Sequence, residues 1–394
     1  MKVIYSTFSR LGGTGLSNVA FHAAKALYQQ GNLVKVITYG NCQNIVPNSL
    51  IKIIRFQPAK IFSMLSSRYY YSMKRMWLDW RAAAYINSHK CDIFHGWSHE
   101  CLHSLKAAKR QGALTIIDRG NTHPRFNKYM LDEEYAIYGI SRKLDQAPRW
   151  LKPFDSLRRE LEEAVEEFEL ADYVFVNSQF CYDTFVDEGY PKEKLVMIPR
   201  GFEVTQYQPL PKKDNKFRAI FVGQLCVRKG LKYLLEAWDK LNLPDAELIL
   251  VGHLHEELEA LMKPYSGRKD IVRWGFVPDP VKLYNSATVF VLPTIEEGSA
   301  KVTYEAMACG IPVIVTPNAG SLARDGKDGF IVPIRQVEPL MEKILYFYNN
   351  REAAVEMGRE ARRYIETYTW EHYERTLIET YQALLDLRHP KQAM

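Results

Sequence analysis

Short β-branched runs, glycine-marked turns and stretches of helical spacing alternate along this chain. Val3-Ile4-Tyr5-Ser6-Thr7 is the first such run. Gly12-Gly13-Thr14-Gly15 follows, and then Leu16, Val19, Ala20, Ala23 and Leu27 recur at helical spacing, with Gly31 as the stop. Leu33 to Thr38 is the next strand, and further strands are predicted at Asp92–Phe94, Leu114–Ile117 and Tyr173–Val176. This order predicts parallel strands with helices on both faces.

The alternation breaks between Gly201 and Lys216, where Gln206 to Lys216 is polar and holds two prolines, as a linker does. It then restarts. Strands are predicted at Arg218–Val222, Glu247–Val251, Ile271–Trp274, Val289–Leu292 and Pro312–Val315, and helices at Leu231–Leu241, Pro280–Asn285 and Ala300–Ala308. Trp370 to Leu387 has helical spacing near the end of the chain. The expected fold is therefore α/β, with two doubly wound Rossmann-like domains facing across a cleft. The N-terminal domain is expected over 1–205 and the C-terminal domain over 206–375. Residues 376–394 are expected to form a helix packing back on the N-terminal domain.

Length agrees with this division, since 394 residues are too many for one ordinary core. Charge adds one feature. The net charge is +6, and Ile51–Arg81 alone holds Lys52, Arg55, Lys60, Arg68, Lys74, Arg75 and Arg81 against the single acid Asp79. Tyr69, Tyr70, Tyr71, Trp77 and Trp80 lie among them. The segment reads either as a solvated helix face or as a surface for an anionic leaflet or acceptor. No apolar stretch is long enough to span a bilayer, and no hydrophobic leader follows Met1-Lys2. The expectation is a cytoplasmic protein with at most peripheral contact with the inner face of a membrane, and without a nucleic-acid partner. Six cysteines lack zinc-ligand spacing and read as small buried hydrophobes in a reducing compartment.

Two strand ends carry candidate chemistry. In Phe221-Val222-Gly223-Gln224-Leu225-Cys226-Val227-Arg228-Lys229-Gly230, a strand closes at Gly223 and a helix opens near Gly230. Arg228 and Lys229 thus arrive at the carboxyl edge of a parallel sheet, where ligands bind. An adjacent guanidinium and ammonium suit a diphosphate. In Pro293 to Glu305, another strand leads into a helix through the small residues Gly298, Ser299 and Ala300, whose amides can approach a phosphate closely. Glu305 lies inside an otherwise apolar helix, where a carboxylate needs a partner. No metal site is expected.

These residues resemble the retaining GT-B glycosyltransferases of the family-4 type, the glycosyl transferases of group 1. The match is Glu297, seven residues, Glu305 and then Ala306-Met307-Ala308-Cys309-Gly310-Ile311-Pro312-Val313. Gly223–Gly230, Ala246–Gly252, Ile198–Pro209 and Ala171–Ser178 fit in order and spacing, and Gly12-Gly13 fits more weakly. The resemblance implies that Arg228 and Lys229 hold the donor diphosphate and that Glu297 lies by the donor sugar. It implies that Glu305 bonds the ribose and that the amides of Ser299, Ala300, Lys301 and Val302 cap the phosphates. Gly223 belongs to the same donor loop, Phe276 and Val277 border the base, and Gly12 and Gly13 reach the cleft from the other domain. The donor is implied to be a UDP-, GDP- or ADP-linked sugar, with no cofactor, and the acceptor a hydroxyl of a glycan, lipid-linked or small molecule. A front-face reaction is implied, in which a donor phosphate oxygen takes the acceptor proton.

The chain departs from the pattern at Gln224, at Ala300, at Lys301 (an apolar position in the family) and at Arg200-Gly201 (usually Asn-Gly). The usual histidine after the Leu114–Ile117 strand is replaced by Asp118-Arg119-Gly120-Asn121-Thr122-His123, so either Asp118 or His123 is the acceptor-side candidate. A nucleotide-sugar epimerase or a non-catalytic sensor would use the same double fold.

Overall fold

The computed structural model describes residues 1–55, 67–140 and 151–388. Its strands are β1 (Val3–Ser6), β2 (Leu33–Thr38), β3 (Ile51–Ile53), β4 (Ile93–Trp97), β5 (Leu114–Arg119), β6 (Tyr173–Val176), β7 (Leu195–Met197), β8 (Phe217–Val222), β9 (Ala246–Val251), β10 (Ile271–Gly275), β11 (Val289–Leu292), β12 (Val313–Val315) and β13 (Gly329–Ile331). They form two sheets, ordered β3-β2-β1-β4-β5-β6-β7 and β10-β9-β8-β11-β12-β13. Every pairing in both sheets is parallel. This is the GT-B architecture of two parallel α/β domains.

The strands that interior periodicity predicts are present. Beyond them the structure adds β3, β7 and β13, each of three residues and each at a sheet edge. Three residues are too few to show a strand period. Helices cover both sheet faces, so central strands such as Val289-Phe290-Val291-Leu292 are wholly buried and read as unbroken apolar runs.

Each sheet reverses its winding between two central strands, β1 and β4 in the first and β8 and β11 in the second. Loops leaving the carboxyl ends of such a strand pair diverge and leave a crevice. The two crevices face one another. Gly298, in the loop after β11, has no room for a side chain, because a Cβ there would lie 2.2 Å from the Gly120 carbonyl oxygen in the loop after β5. Ser178 Oγ donates to the Gly298 carbonyl at 2.6 Å.

The domains also exchange helices. The helix Trp370–Arg388 starts six residues before 376 and packs on Leu16–Gln29 of the N-terminal domain, burying Tyr373, Leu377, Tyr381 and Leu384. His22 stacks on Trp370 with centroids 4.0 Å apart, and Glu374 accepts from Lys25 at 2.9 Å. In the other direction, Pro124–Ile137 leaves the N-terminal half and packs Met130 and Phe126 into the C-terminal core. There Glu134 is fully buried, accepting from Tyr233 Oη at 2.9 Å and Arg335 Nε at 2.7 Å.

The described cations of the basic segment divide between exposed and partnered positions, Arg55 and Arg81 being exposed. Its helix, Ser67–Ser88, buries Ser72, Met73, Leu78, Asp79, Ala82 and Ile86, and three of its cations have partners within the domain. Arg68 pairs with Asp155 at 2.6 Å. Lys74 Nζ lies 4.8 Å from the Tyr39 ring centroid and 5.5 Å from that of Phe8, and burial lowers its pKa. Arg75 lies over the Phe8 ring at 5.3 Å and within 4.0 Å of Glu100. Arg68, Lys74 and Arg75 are thus each engaged within the domain while remaining partly accessible. Tyr71 and Trp80 remain exposed, and Lys60 lies outside the described residues. Among the described residues no helix is long and apolar enough to cross a membrane. Five of the six cysteines are buried, Cys42 is exposed, and all six are free thiols.

The exchanged helix gives a test. Removing one partner of a buried charge pair strands the other, at about 3–5 kcal/mol, whereas an exposed pair is worth about 0–1 kcal/mol. Glu134→Ala is expected to lower the urea midpoint strongly. Glu133→Ala, which removes the outer Arg335 contact at 2.6 Å, is expected to leave it nearly unchanged. Equal midpoints for the two variants would remove Glu134 as the anchor.

Candidate functional site

The C-terminal wall of the crevice begins at β8. The chain turns through Gly223 and a short 3-10 turn, Val227–Lys229, ending at Gly230 with φ +67°. A Cβ at Gly230 would lie 2.0 Å from the Pro293 carbonyl oxygen, so only glycine lets the loops after β8 and β11 close on each other. Two hydrogen bonds then fix them. Ile295 N–H donates to the Arg228 carbonyl at 2.9 Å, and Thr294 Oγ1 donates to it at 3.0 Å.

This clamp gathers the charges. Lys229 Nζ and Glu297 are in direct contact, and Arg228 Nη1 lies 3.2 Å from Glu297 Oε2 and 3.6 Å from Glu296 Oε2. Burial works to raise the pKa of Glu297, but Lys229 and Arg228 outweigh it and hold the carboxyl below its ordinary value. Glu297 is thus a partly buried anion with two cations on it.

Glu296 was not singled out in the sequence, yet it is wholly buried and bridges the domains. Its Oε1 accepts from Thr122 Oγ1 at 2.5 Å, across the cleft. The available signal was a second acid directly after a buried strand, where one acid sufficed for the motif.

Past Gly298, the chain enters Lys301–Ala308, with Ala300 as N-cap and no side-chain cap on the first-turn amides. Thr303 N–H bonds back to the Ala300 carbonyl at 2.9 Å. Glu305 is buried, accepts from Tyr284 Oη at 2.9 Å and pairs with Lys301 Nζ at 3.1 Å. Tyr207 also bonds it, with its own pKa raised first by burial and then by Glu305. These are the partners an apolar helix requires of a carboxylate. Lys301 itself lies 5.7 Å from the Phe202 and Tyr207 ring centroids.

Farther along the same sheet edge, Gly275 (φ +62°) ends β10 and Phe276 stands 77 % exposed beyond it, with Val277 partly buried at its back. The glycines stack the three loops here, since a Cβ on Gly252 would lie 1.8 Å from the Gly223 carbonyl oxygen.

The N-terminal wall supplies Gly12 (φ +87°), Gly13 (φ +121°) and Gly15 (φ +60°), leading into the uncapped helix Leu16–Gln29. Gly13, Thr14 and Gly15 share a cavity of about 330 Å³ with Arg200, Ser299, Lys301 and Tyr304. Of the predicted donor residues, Gly13, Ser299 and Lys301 line this space, whereas Arg228, Lys229, Glu297 and Glu305 do not.

The two acceptor-side candidates lie elsewhere. His123 caps Pro124–Ile137 but turns its ring into the domain, edge-on to Phe185 at 5.0 Å, and burial with Arg119 and Arg125 lowers its pKa to about 4. The residue of that loop that crosses the cleft is Thr122. Asp118 ends up beneath the cleft on β5, in a void of about 10 Å³ with Arg200, Asn177 and Tyr373. Burial pushes its pKa up to about 6, against the pull of Arg200.

Family models match both halves. Residues 13–206 match the Glycosyltransferase Family 4 model, and residues 204–364 match Glycosyl transferases group 1. Among curated relatives, an uncharacterised glycosyltransferase of Haemophilus influenzae is 28 % identical over 212 residues, covering 51 % of this chain and 58 % of that one. The capsular polysaccharide biosynthesis glycosyltransferase CapM of Staphylococcus aureus is 28 % identical over 173 residues, covering 41 % and 46 %. The chain spans about half the length of the curated relatives it matches. Solved structures extend the likeness of fold. A sucrose-phosphate synthase from Thermosynechococcus elongatus superposes with TM-score 0.69 at 18 % identity, covering 98 % of this chain and 100 % of that one. Anabaena HepE in complex with UDP-glucose superposes at 0.66 and 17 %, covering 97 % and 100 %.

Asp118 provides the test. Its pKa is raised on folding, so the folded state binds the proton more tightly and loses stability as pH rises from about 4 through about 6. Asp118→Asn is expected to unfold at a higher temperature than the parent protein at pH 8, with the gap closing near pH 4. A gap independent of pH would contradict this assignment.

Proposed function

The chain belongs to the GT-B glycosyltransferases of the family-4 type, and from that premise we propose that it transfers a glycosyl unit, with retention, from a nucleoside diphosphate sugar to an acceptor hydroxyl. One observation carries the reading. Two cations at the end of β8 converge on one carboxylate at the end of β11, on the strand pair where the sheet reverses.

Breaking the anomeric bond leaves negative charge on the diphosphate. Stabilisation by groups already in place is the largest lever available. Arg228 and Lys229 supply fixed charge, and the amides of Ser299, Lys301 and Val302 supply oriented dipoles, that of Ala300 being already given to the Ala319 carbonyl at 2.9 Å. Glu297, ionised and held by both cations, is placed to accept from hydroxyls of the donor sugar. Glu305 accepts from the ribose, its orientation fixed by Tyr284. Phe276 offers a ring face to the base. A phosphate oxygen of the donor takes the acceptor proton, so no side-chain base is needed. Charge neutralisation rests on side chains and amides, and we assign no metal to the reaction.

The HepE complex, solved with UDP-glucose, favours a uridine-linked donor, and CapM favours a growing glycan as acceptor. The acceptor enters from the N-terminal wall, near Thr122.

Thermal-shift screening of UDP-, GDP- and ADP-sugars is expected to show stabilisation by one nucleotide class. With that donor, Lys229→Ala is expected to lower kcat about 100-fold or more, and EDTA to leave activity unchanged. Wild-type turnover in Lys229→Ala at saturating donor would displace the phosphate site, and complete loss of activity in EDTA would reverse the metal-free assignment.

A further inference from the structure

Glu297 has a neighbour that reaches the other way. Glu296 is wholly buried, and the backbone on both sides of it is fixed. Asn318 Nδ2 donates to the Ile295 carbonyl at 2.7 Å, while Ser178 Oγ and Cys181 Sγ donate to the Gly298 carbonyl at 2.6 Å and 3.1 Å. Glu296 Oε1 accepts from Thr122 Oγ1 at 2.5 Å, across the cleft. Thr122 is held just as firmly. It is fully buried, and its carbonyl accepts from Arg119 Nε at 3.0 Å and Nη2 at 2.8 Å. Arg119, the last residue of β5, is itself buried and donates to Ser98 Oγ at 3.1 Å.

The second carboxyl oxygen has no such bond. Glu296 Oε2 is buried and lacks a hydrogen-bond partner. Arg228 Nη1 lies 3.6 Å from it and already donates to the Glu296 carbonyl at 3.2 Å. A shift of about half an ångström brings Nη1 and Oε2 into hydrogen-bond range. Glu296 cannot make that shift, because its loop and its Oε1 are fixed. The Arg228 side chain can, being 29 % exposed. What restrains it is Glu297, whose Oε2 lies 3.2 Å from the same Nη1. Both acids act on the guanidinium: burial works to lower its pKa, and Glu297 and then Glu296 raise it. A buried acceptor without a donor costs free energy, and closing the 3.6 Å gap recovers that cost.

Resting on the donor-site reading above, we propose that Glu296 is a positioning residue for Arg228, set from the opposite domain by Thr122. When the donor sugar engages Glu297, Arg228 passes to Glu296 Oε2. Its planar fork then has one edge on Glu296 and the other turned to the diphosphate. Glu296 offers that oxygen in register only while Thr122 holds Oε1. The loop after β5 therefore governs a cation of the other domain without touching the nucleotide, and donor charge is fully placed only where the domains meet.

The test is calorimetry on the full chain with UDP, GDP and ADP, continued with whichever binds, and with melting temperatures in parallel. Arg228→Ala is expected to weaken the diphosphate about 10- to 100-fold, as for lost charged hydrogen bonds. Glu296→Gln keeps the volume and an acceptor for Thr122 but faces Arg228 with an amide. Thr122→Val removes the hydroxyl and keeps the shape. Each is expected to weaken the diphosphate about 3- to 10-fold, as for one lost hydrogen bond, and Thr122→Ser to recover most of the loss. In an Arg228→Ala background, both are expected to change affinity by under about twofold, because the route runs through the guanidinium. Parent affinity in either Glu296→Gln or Thr122→Val overturns the proposal. So does equal weakening with and without Arg228, which makes the Thr122 bond a structural tie between the domains. Should Glu296→Gln fail to fold, Thr122→Val with and without Arg228 decides alone. A parent chain that binds none of the three diphosphates, or Arg228→Ala with parent affinity, overturns the donor-site reading itself, which separates the two failures.

Discussion

Two backbones meet at Gly298 and Gly120 with no space for a side chain between them, and the architecture of the cleft follows from that contact. Any larger residue at Gly298 would hold the domains apart by its own width. Because the contact is backbone on backbone, Glu296 comes near enough to accept from Thr122, and Ser178 near enough to bind the Gly298 carbonyl. The loop that makes the seam also carries Glu297 and leads into the amides at Ser299. Approach of the domains and assembly of the anion-binding wall are thus one geometric event.

The same logic runs through the second clamp, between Gly230 and Pro293. It locks the Arg228-Lys229 turn to the Glu297 loop, so the charges sit on a rigid frame rather than on independent loops. Rigid placement matters because preoriented charges need not reorganise as a reaction proceeds.

Much of this was legible in the sequence, for physical reasons that differ by element. Central strands announce themselves as apolar runs because both faces are buried, whereas β3, β7 and β13 are three-residue edges with no period to read. Lone polar residues in apolar helices signalled partners, and Glu305 has Tyr284 and Lys301. Direction was not legible. Sequence placed the loop after β5 beside the acceptor, but His123 rotates into aromatic packing while Thr122 takes the cleft. The basic stretch is a second case. Composition gives the sign of a surface but not which side chains reach it, and Lys74 and Arg75 lie over Phe8 while Arg55 and Arg81 are exposed.

The reciprocal exchange of Pro124–Ile137 and Trp370–Arg388 bears on how such a chain can be rearranged by recombination. A crossover in the linker near residue 205 looks like the natural joint. Yet it would join an N-terminal half carrying a helix shaped for one C-terminal core to a tail shaped for a different N-terminal sheet. The half-chains are therefore not interchangeable cassettes. Each keeps on its partner a moulded impression of itself, and a working hybrid must inherit both impressions together, Met130 with its pocket and Tyr381 with His95.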